Sequence, residues 1–155
     1  MRLTVYTDYA LRVLMYAALH PDRLSTIGEI SSVYGISRNH LMKVVYELGV
    51  AGYIETVRGQ QGGIRLARSP QDIGLGDVVR RTEKGALLVP CFEATTNYCA
   101  ISPACKLKHA LQQASNAFFA VLDGFTLADL TQNREILSDL LQQSAAASAP
   151  DRAAS

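Results

Sequence analysis

A short stretch in the amino-terminal half of the chain restricts the fold most, because two amphipathic helix patterns there are separated by a single tight turn. The first is predicted to begin with a capping box from Thr26 to Glu29 and to end at Gly35. The second is predicted to begin after the cap Ser37 and to close at Gly52. Its apolar positions share one face and are Leu41, Val44, Val45 and Leu48. Two helices joined by a short glycine-containing turn form a helix-turn-helix candidate.

Two β-prone runs, 53–57 and 64–67, follow directly and flank a glycine-rich segment at 58–63. Apolar residues alternate in both runs, and the glycines supply turn chemistry, which predicts a β-hairpin. A hairpin placed after a helix-turn-helix is a wing. The predicted fold is therefore mostly α with a β-hairpin wing: a winged helix-turn-helix domain plus a long dimerisation helix.

Further helices are predicted on both sides of this motif. A first helix, capped by Thr7-Asp8, has apolar positions at three-to-four spacing and stops at Pro21, and a short helix covers 75–82. From Leu107 a helix of about five turns runs to near Gly124, and two small helices follow. The predicted domain boundaries are 1–84 for the winged helix-turn-helix domain, 85–106 for a cysteine loop, 107–143 for the dimerisation helix and short helices, and 144–155 for a disordered tail.

The long helix carries an apolar stripe too extensive for an element without a partner. The members of the stripe are Leu107, Ala110, Leu111, Ala114, Phe118, Val121, Leu122 and Phe125. Pairing with its copy in a second chain would bury the stripe and set two helix-turn-helix units roughly 34 Å apart. The alternative is packing against the first helix of the same chain.

Composition excludes several classes of protein. The chain of 155 residues is 48% hydrophobic, which rules out wholesale disorder, yet no stretch approaches the ~20 apolar residues of a membrane span. Its first residues lack the pattern of a secretory signal, so we expect a cytoplasmic protein without membrane contact. Residues 1–81 hold 10 basic and 7 acidic residues, and residues 82–155 hold 5 and 7, which weakly favours an anionic partner for the amino-terminal part.

Polar side chains at two places could read DNA. The amino-terminal end of the second helix of a helix-turn-helix enters the major groove, where Arg can bridge guanine acceptors and Asn can pair with adenine. The candidates on that helix are Ser37, Arg38, Asn39, His40 and Lys43. The wing candidates are Arg58, Gln60, Gln61 and Arg65. The alternative interpretation is an ordinary solvent-facing polar surface.

Three cysteines, Cys91, Cys99 and Cys105, fall within 15 residues. Their odd number argues against disulfides, and the spacing lacks the paired Cys-x-x-Cys of structural zinc sites, whereas iron-sulfur clusters accept looser spacing. Three sulfurs leave one coordination position open, for which His109 and Asp8, from either chain, are candidates. Three unrelated buried thiols, or a zinc-stabilised DNA-binding module using His109 as fourth ligand, stay open as alternatives.

Catalysis is not expected. The glycines at 59–63 are not followed by the Gly-Lys-Ser/Thr of a phosphate-binding loop, and no His stands in a recognisable pairing with a nucleophile.

Taken together, the runs 7–12, 33–41 and 57–66 and the three cysteines resemble the iron-sulfur winged-helix transcription regulators. This family contains IscR, and within it the likeness is to the nitric-oxide-sensing repressors. The resemblance covers roughly residues 1–141, and its motifs are specific in combination.

The resemblance implies a homodimeric repressor that binds an inverted-repeat operator while a 2Fe-2S or 4Fe-4S cluster, one per subunit, is intact. Nitric oxide would nitrosylate the cluster iron and free genes for nitric oxide detoxification. An aspartate matching Asp8, donated across the dimer, would be the fourth ligand. Some relatives use a histidine three residues after the last cysteine, but Lys108 stands there in this chain, which favours Asp8 over His109. The alternative within the family is a regulator of iron-sulfur assembly or of the redox or iron response.

Overall fold

The computed structural model describes residues 3–83, 92 and 99–147. The helices are α1 (Val5–Leu19), α2 (Ile27–Tyr34), α3 (Arg38–Val50), α4 (Leu75–Thr82), α5 (Lys106–Asp123), α6 (Leu127–Leu130) and α7 (Arg134–Ala147). The strands β1 (Ile54–Val57) and β2 (Gly63–Leu66) lie between α3 and α4, and short 3-10 turns cover Pro70–Asp72 and Ser102–Ala104. The predicted mostly helical fold with one β-hairpin is confirmed.

Local signals set the helix-turn-helix. Thr26 Oγ1 accepts a hydrogen bond from the Glu29 N–H at 3.1 Å, and Glu29 Oε2 accepts one from the Thr26 N–H at 2.7 Å, so the predicted capping box starts α2. Gly35 ends α2 with φ of 64°, a left-handed conformation that favours glycine. Ser37 precedes α3 as predicted, but its side chain makes no capping hydrogen bond, which corrects its assigned role.

The start of α1 differs from the sequence prediction. The helix begins one turn earlier than a Thr7-Asp8 cap would allow, because Thr4 is the cap and its Oγ1 accepts a hydrogen bond from the Thr7 N–H at 3.2 Å. The carboxylate of Glu83, at the end of α4, accepts hydrogen bonds from the Thr4 N–H at 2.7 Å, from Thr4 Oγ1 at 2.9 Å and from the Thr7 hydroxyl. A distant residue thus completes the cap.

The core forms around α1, which contacts α3, α4, α6 and β2. Its buried side chains come from every element of the winged helix, so burial of apolar surface stabilises the helices and the wing as one unit. The fully buried members with the largest side chains include Val13, Leu14, Ile30, Leu41, Val44, Leu48, Ile64, Ile73, Val78 and Val79.

The wing is an antiparallel hairpin in which Ile54 pairs with Leu66 and Val57 with Gly63. The segment before α2 joins it, because the Ser25 N–H donates to Ile64 O at 2.9 Å and the Ile64 N–H donates to Ser25 O at 2.8 Å. A Cβ at Gly63 would lie 2.7 Å from Ser25 O, so a glycine is required for this close approach. The base of the wing is therefore fixed to the core.

The long helix α5 is attached to the winged helix through α4. Arg80 donates two hydrogen bonds to the Asp123 carboxylate at 2.7 and 2.6 Å and lies over the Phe119 ring, 4.7 Å from its centroid. These hydrogen bonds from Arg80 lower the pKa of Asp123. The intramolecular alternative placed α5 against α1, but within the described residues its main contact is with α4.

The chain returns to the helix-turn-helix through α7. Arg134 Nη2 donates to Leu19 O at 2.9 Å, and Ser144 Oγ donates to Val33 O at 2.7 Å. The helix α7 packs on α2 and is longer than the predicted small helix. Residues 144–147, which the sequence prediction assigned to a disordered tail, are helical because Ala145 and Ser144 contact the core and α2. Among the described residues, no helix has the length and apolarity to cross a bilayer.

Candidate nucleic-acid interface and metal segment

The outer face of α3 is opposite to the face that packs into the core. Leu41, Val44 and Leu48 are buried, whereas Asn39 and Lys43 are exposed on the other side of the helix. Asn39 and Lys43 are one turn apart, so both can meet the same partner. The first backbone N–H groups of α3 lie at the same end, and the helix dipole favours an anion there.

Arg38 and His40 flank this outer face in different directions. The Arg38 guanidinium lies beside Gly28 of α2. A Cβ atom built on Gly28 would be 3.6 Å from Arg38 Nη2. The His40 ring lies toward α1, with its centroid 6.2 Å from that of Tyr9. Sequence reasoning grouped both with Asn39, and the structure separates them onto the two edges of the helix.

The wing presents its polar side chains at the tip. Arg58, Gln60 and Gln61 are exposed between the two strands. Arg65 lies on β2 and forms an ion pair with Glu55 across the hairpin, with Nη2 2.9 Å from Oε2. Arg65 would exchange this carboxylate for a phosphate if it bound DNA, whereas Arg58 is already at the tip.

Sequence reasoning missed an apolar row on α3. Met42, Tyr46 and Val50 follow one another at four-residue spacing and are 51%, 69% and 64% exposed. The signal was available, because large apolar residues at this spacing on the polar side of an amphipathic helix are unexpected.

The predicted cysteine ligands lie before and at the start of α5. Cys99 is exposed, and its carbonyl accepts a hydrogen bond from the Ser102 N–H at 3.0 Å, which opens the 3-10 turn. Cys105 is the N-cap of α5, where its Sγ accepts a hydrogen bond from the Lys108 N–H at 3.4 Å. The third predicted ligand, Cys91, lies outside the described residues.

Asp8, the predicted fourth ligand, is in the first turn of α1. Its carboxylate pairs with Arg12, whose Nε is 3.0 Å from Oδ1, and its side chain is half-exposed. Arg12 in turn lies over the Tyr34 ring, 5.4 Å from its centroid. His109, the alternative to Asp8 as fourth ligand, is exposed on the first turn of α5.

Across residues 3–83, 92 and 99–147, no three His, Cys, Asp or Glu side chains come together as a metal site. The donor chemistry of the cysteine segment nevertheless fits an iron-sulfur cluster, because cysteine sulfurs are the usual ligands of such clusters. Cys105 places its Sγ at the N-terminus of α5, where it accepts a hydrogen bond from the Lys108 backbone N–H.

Comparison with known proteins decides the family. The model of the Rrf2 family, described as iron-dependent transcriptional regulators, matches residues 3–133. The chain belongs to the Rrf2 family. Its match covers the winged helix, the cysteine segment and α5, so fold and family agree on a DNA-binding transcription regulator.

Individual relatives support this assignment. The chain is 54% identical over 143 residues to the HTH-type transcriptional regulator NsrR of Bacillus subtilis (strain 168), which covers 92% of this chain and 98% of the relative. The NsrR of Halalkalibacterium halodurans is 50% identical with the same coverage.

Among solved structures, T. potens IscR superposes with a TM-score of 0.67 at 28% identity, covering 86% of this chain and 88% of the other. The structure of CymR of B. subtilis, titled the global cysteine regulator, has a TM-score of 0.66 at 25% identity, covering 86% and 98%. The predicted resemblance is confirmed at the level of family.

Proposed function

We propose that this chain is a repressor that binds an inverted-repeat operator as a homodimer and releases it when nitric oxide reacts with an iron-sulfur cluster. The ligands would be Cys91, Cys99 and Cys105 of one subunit and Asp8 of the partner subunit. When bound, the cluster supplies iron that reacts with nitric oxide.

The observation that carries this proposal is the chain of contacts from Asp8 through Arg12 to Tyr34. Tyr34 is the last residue of α2 and immediately precedes the Gly35 turn of the helix-turn-helix. Burial raises the pKa of Tyr34, and the Arg12 guanidinium acts in the opposite direction, so this ring is a half-buried neutral anchor for the cation. A change in the partner of Asp8 therefore reaches the turn that sets the position of α3.

The helix α5 connects the last predicted cysteine ligand with the winged helix and with a candidate subunit surface. Cys105 starts α5, and the Arg80–Asp123 ion pair ties α5 to α4 of the winged helix. The exposed apolar residues Leu107 and Val121 on α5 supply a surface for a second copy of the chain. Through these connections, Cys105 is linked to the proposed subunit surface on α5 and, through α4, to α1 of the winged helix.

One experiment tests the sensor. The full chain is prepared without oxygen, its iron and visible absorption are measured, and its affinity for an operator duplex is followed by fluorescence anisotropy as nitric oxide is added. We expect iron, a visible band, and loss of operator affinity at a few molecules of nitric oxide per cluster. A colourless, iron-free protein that binds the operator fully would overturn the proposal.

Variants test the ligands separately from DNA binding. Cys91→Ala, Cys99→Ala and Cys105→Ala are each expected to fold as dimers that lack the visible band and no longer repress, because each removes one thiolate. Asp8→Asn is expected to make the band labile, whereas Asp22→Asn, at an exposed loop position, is the matched control. Full iron content and repression in any one cysteine variant would remove that cysteine from the ligand set.

The second candidate is a regulator of the iron or redox response, which the family description as iron-dependent favours. The nitric oxide titration separates the two, because insensitivity at stoichiometric doses would favour the second candidate. Zinc in place of iron, with loss of metal in His109→Gln, would instead identify a structural zinc module.

A further inference from the structure

The apolar row on α3, formed by Met42, Tyr46 and Val50, is the feature that the proposed function does not use. These side chains are more than half exposed although their helix contributes Leu41, Val44, Val45 and Leu48 to the core. Isolated exposed apolar residues are ordinary in folded proteins. Three exposed apolar side chains on successive turns of α3 form a continuous apolar surface, which is a candidate binding surface.

The row lies within the outer face of α3 rather than beside it. At 100° per residue, Tyr46 projects about 20° from Asn39, between Asn39 and Met42, and Met42 lies on the flank nearest Arg38. The apolar side chains are therefore continuous with the polar side chains proposed to contact DNA. A partner that meets Asn39 and Lys43 also meets Tyr46.

The chemistry of the major groove offers one apolar group. Each thymine places a C5 methyl at the groove edge, whereas the other groups there are hydrogen-bond donors and acceptors. A thioether chain and a phenol ring can both cover a methyl group, and the phenol hydroxyl can in addition reach a phosphate. Resting on the proposed function, we propose that Met42 and Tyr46 contact thymine methyl groups and so select thymines within each operator half-site.

Helix geometry limits which members of the row can do this. Tyr46 lies about 12 Å along the axis from Arg38, which is close to the width of the major groove, whereas Val50 lies about 18 Å away. Val50 is thus expected beyond the bases and serves as an internal control of the same apolar character.

Charge argues for DNA over a second copy of this chain as the occupant. Lys43 lies among the apolar residues, and Arg58 projects from the neighbouring wing tip, while Glu47 is at the edge of the face. Bringing two such faces together would place Lys43 near its own copy, and like charges at an interface oppose association. The phosphates of DNA, in contrast, would attract Lys43.

The test combines side-chain truncation with removal of single methyl groups from the DNA. The full chain is prepared without oxygen in the presence of iron and sulfide. The probe is a DNA duplex that this protein enriches from a random-sequence library. Each thymine is replaced in turn by deoxyuridine, which deletes one methyl and leaves the hydrogen-bonding edge intact. For the unsubstituted protein, loss of a buried methyl is expected to weaken binding by about fourfold at the contacted thymines.

The variants decide which side chain makes each contact. Met42→Ala and Tyr46→Ala are each expected to bind the thymine duplex about fourfold or more weakly. Each variant is also expected to lose its sensitivity to uracil at one thymine position. The effects of the protein and DNA changes on affinity are then non-additive at that position, which in a double-mutant cycle indicates a contact. Tyr46→Phe is expected to keep its uracil sensitivity because the ring remains. Val50→Ala is expected to give additive effects at every thymine.

Additive cycles for both Met42→Ala and Tyr46→Ala would overturn the proposal. Additive cycles together with a lower mass for Tyr46→Ala in sedimentation velocity would assign the face to a second copy of the chain, which also overturns it. If the full chain enriches no duplex at all, the proposed repressor function fails instead, so the two failures are distinguishable.

Discussion

At the residue scale, two arginines of the proposed DNA surface have different surroundings, and we expect them to have different roles. Arg38 is at the amino-terminal end of α3 beside α2, the end that we propose meets base edges, whereas Arg58 is exposed at the wing tip. Arg38→Ala should lower operator affinity by about 1 to 3 kcal/mol while changing random-sequence binding little. Arg58→Ala should weaken both duplexes alike and reduce the slope of log affinity against log salt by about 1.

Anisotropy titrations of both duplexes over a series of salt concentrations measure these effects. Lys106→Ala, which removes an exposed charge from α5, is the control for a general change in net charge. Equal losses on operator and random DNA for both arginine variants would contradict the division of roles.

Residue-level prediction from the sequence succeeded where the partner is close in the chain. Thr26 and Glu29 are three positions apart, so the sequence pattern alone predicts their capping box. Gly35 likewise predicts the end of α2 from its own position in the sequence. The cap of α1 was mispredicted because Thr4 is completed by Glu83, 79 positions away. A contact of that kind exists only once α4 has packed against α1.

At the element scale, this contact between α4 and α1 predicts a pH dependence. Partial burial acts to raise the pKa of Glu83, but hydrogen bonds from Thr7 and from Thr4 outweigh it, and the pKa is lowered. A carboxyl group with a lowered pKa in the folded state contributes stability above its ordinary pKa of about 4.3, and this contribution is lost as the pH falls through the folded-state pKa. Glu83→Gln should therefore lower the urea midpoint at pH 7, and the difference from the unsubstituted chain should shrink below about pH 4.

Urea unfolding followed by circular dichroism at several pH values between 7 and 3 gives this difference. Glu135→Gln is the matched control, because it removes the same charge from a glutamate that is exposed in the first turn of α7. A difference for Glu83→Gln that stays constant down to pH 3 would show that the carboxylate charge is not what stabilises α1.

Element boundaries were predictable from periodicity, but element partners were not. The sequence predicted α4 over the residues it occupies and α5 to within a residue at its ends, since the apolar spacing and the glycine after it are local signals. The pairing of α5 with α4 depends on Arg80 and Asp123, which are 43 positions apart. The extension of α7 to Ala147 depends on its contact with α2, and an Ala- and Ser-rich composition alone indicated disorder.

At the scale of the whole molecule, the candidate site was predictable in its residue types and only partly in its arrangement. The cysteines and the polar residues of α3 could be proposed as site residues from the sequence, because the chemistry of their side chains is visible there. The link between Asp8 and Tyr34 through Arg12 was not, because it crosses from one helix to another and involves a ring over a guanidinium. The apolar row on α3 was not predicted, because the side chains expected to contact base edges are mainly those that form hydrogen bonds.

The proposed pairing of two chains through α5 would allow the protein to bind both halves of a two-fold operator, and this pairing can be tested by a single charge on α5. Val121 is 62% exposed within one chain, so Val121→Lys should leave the fold intact while placing a charge in the proposed subunit interface. We expect a monomer in sedimentation velocity and a loss of operator affinity, since two linked half-site contacts become one. Asn116→Lys, on the opposite side of the same helix, adds the same charge and should remain dimeric. A dimer that persists in Val121→Lys with full operator binding would place the subunit interface elsewhere on the molecule.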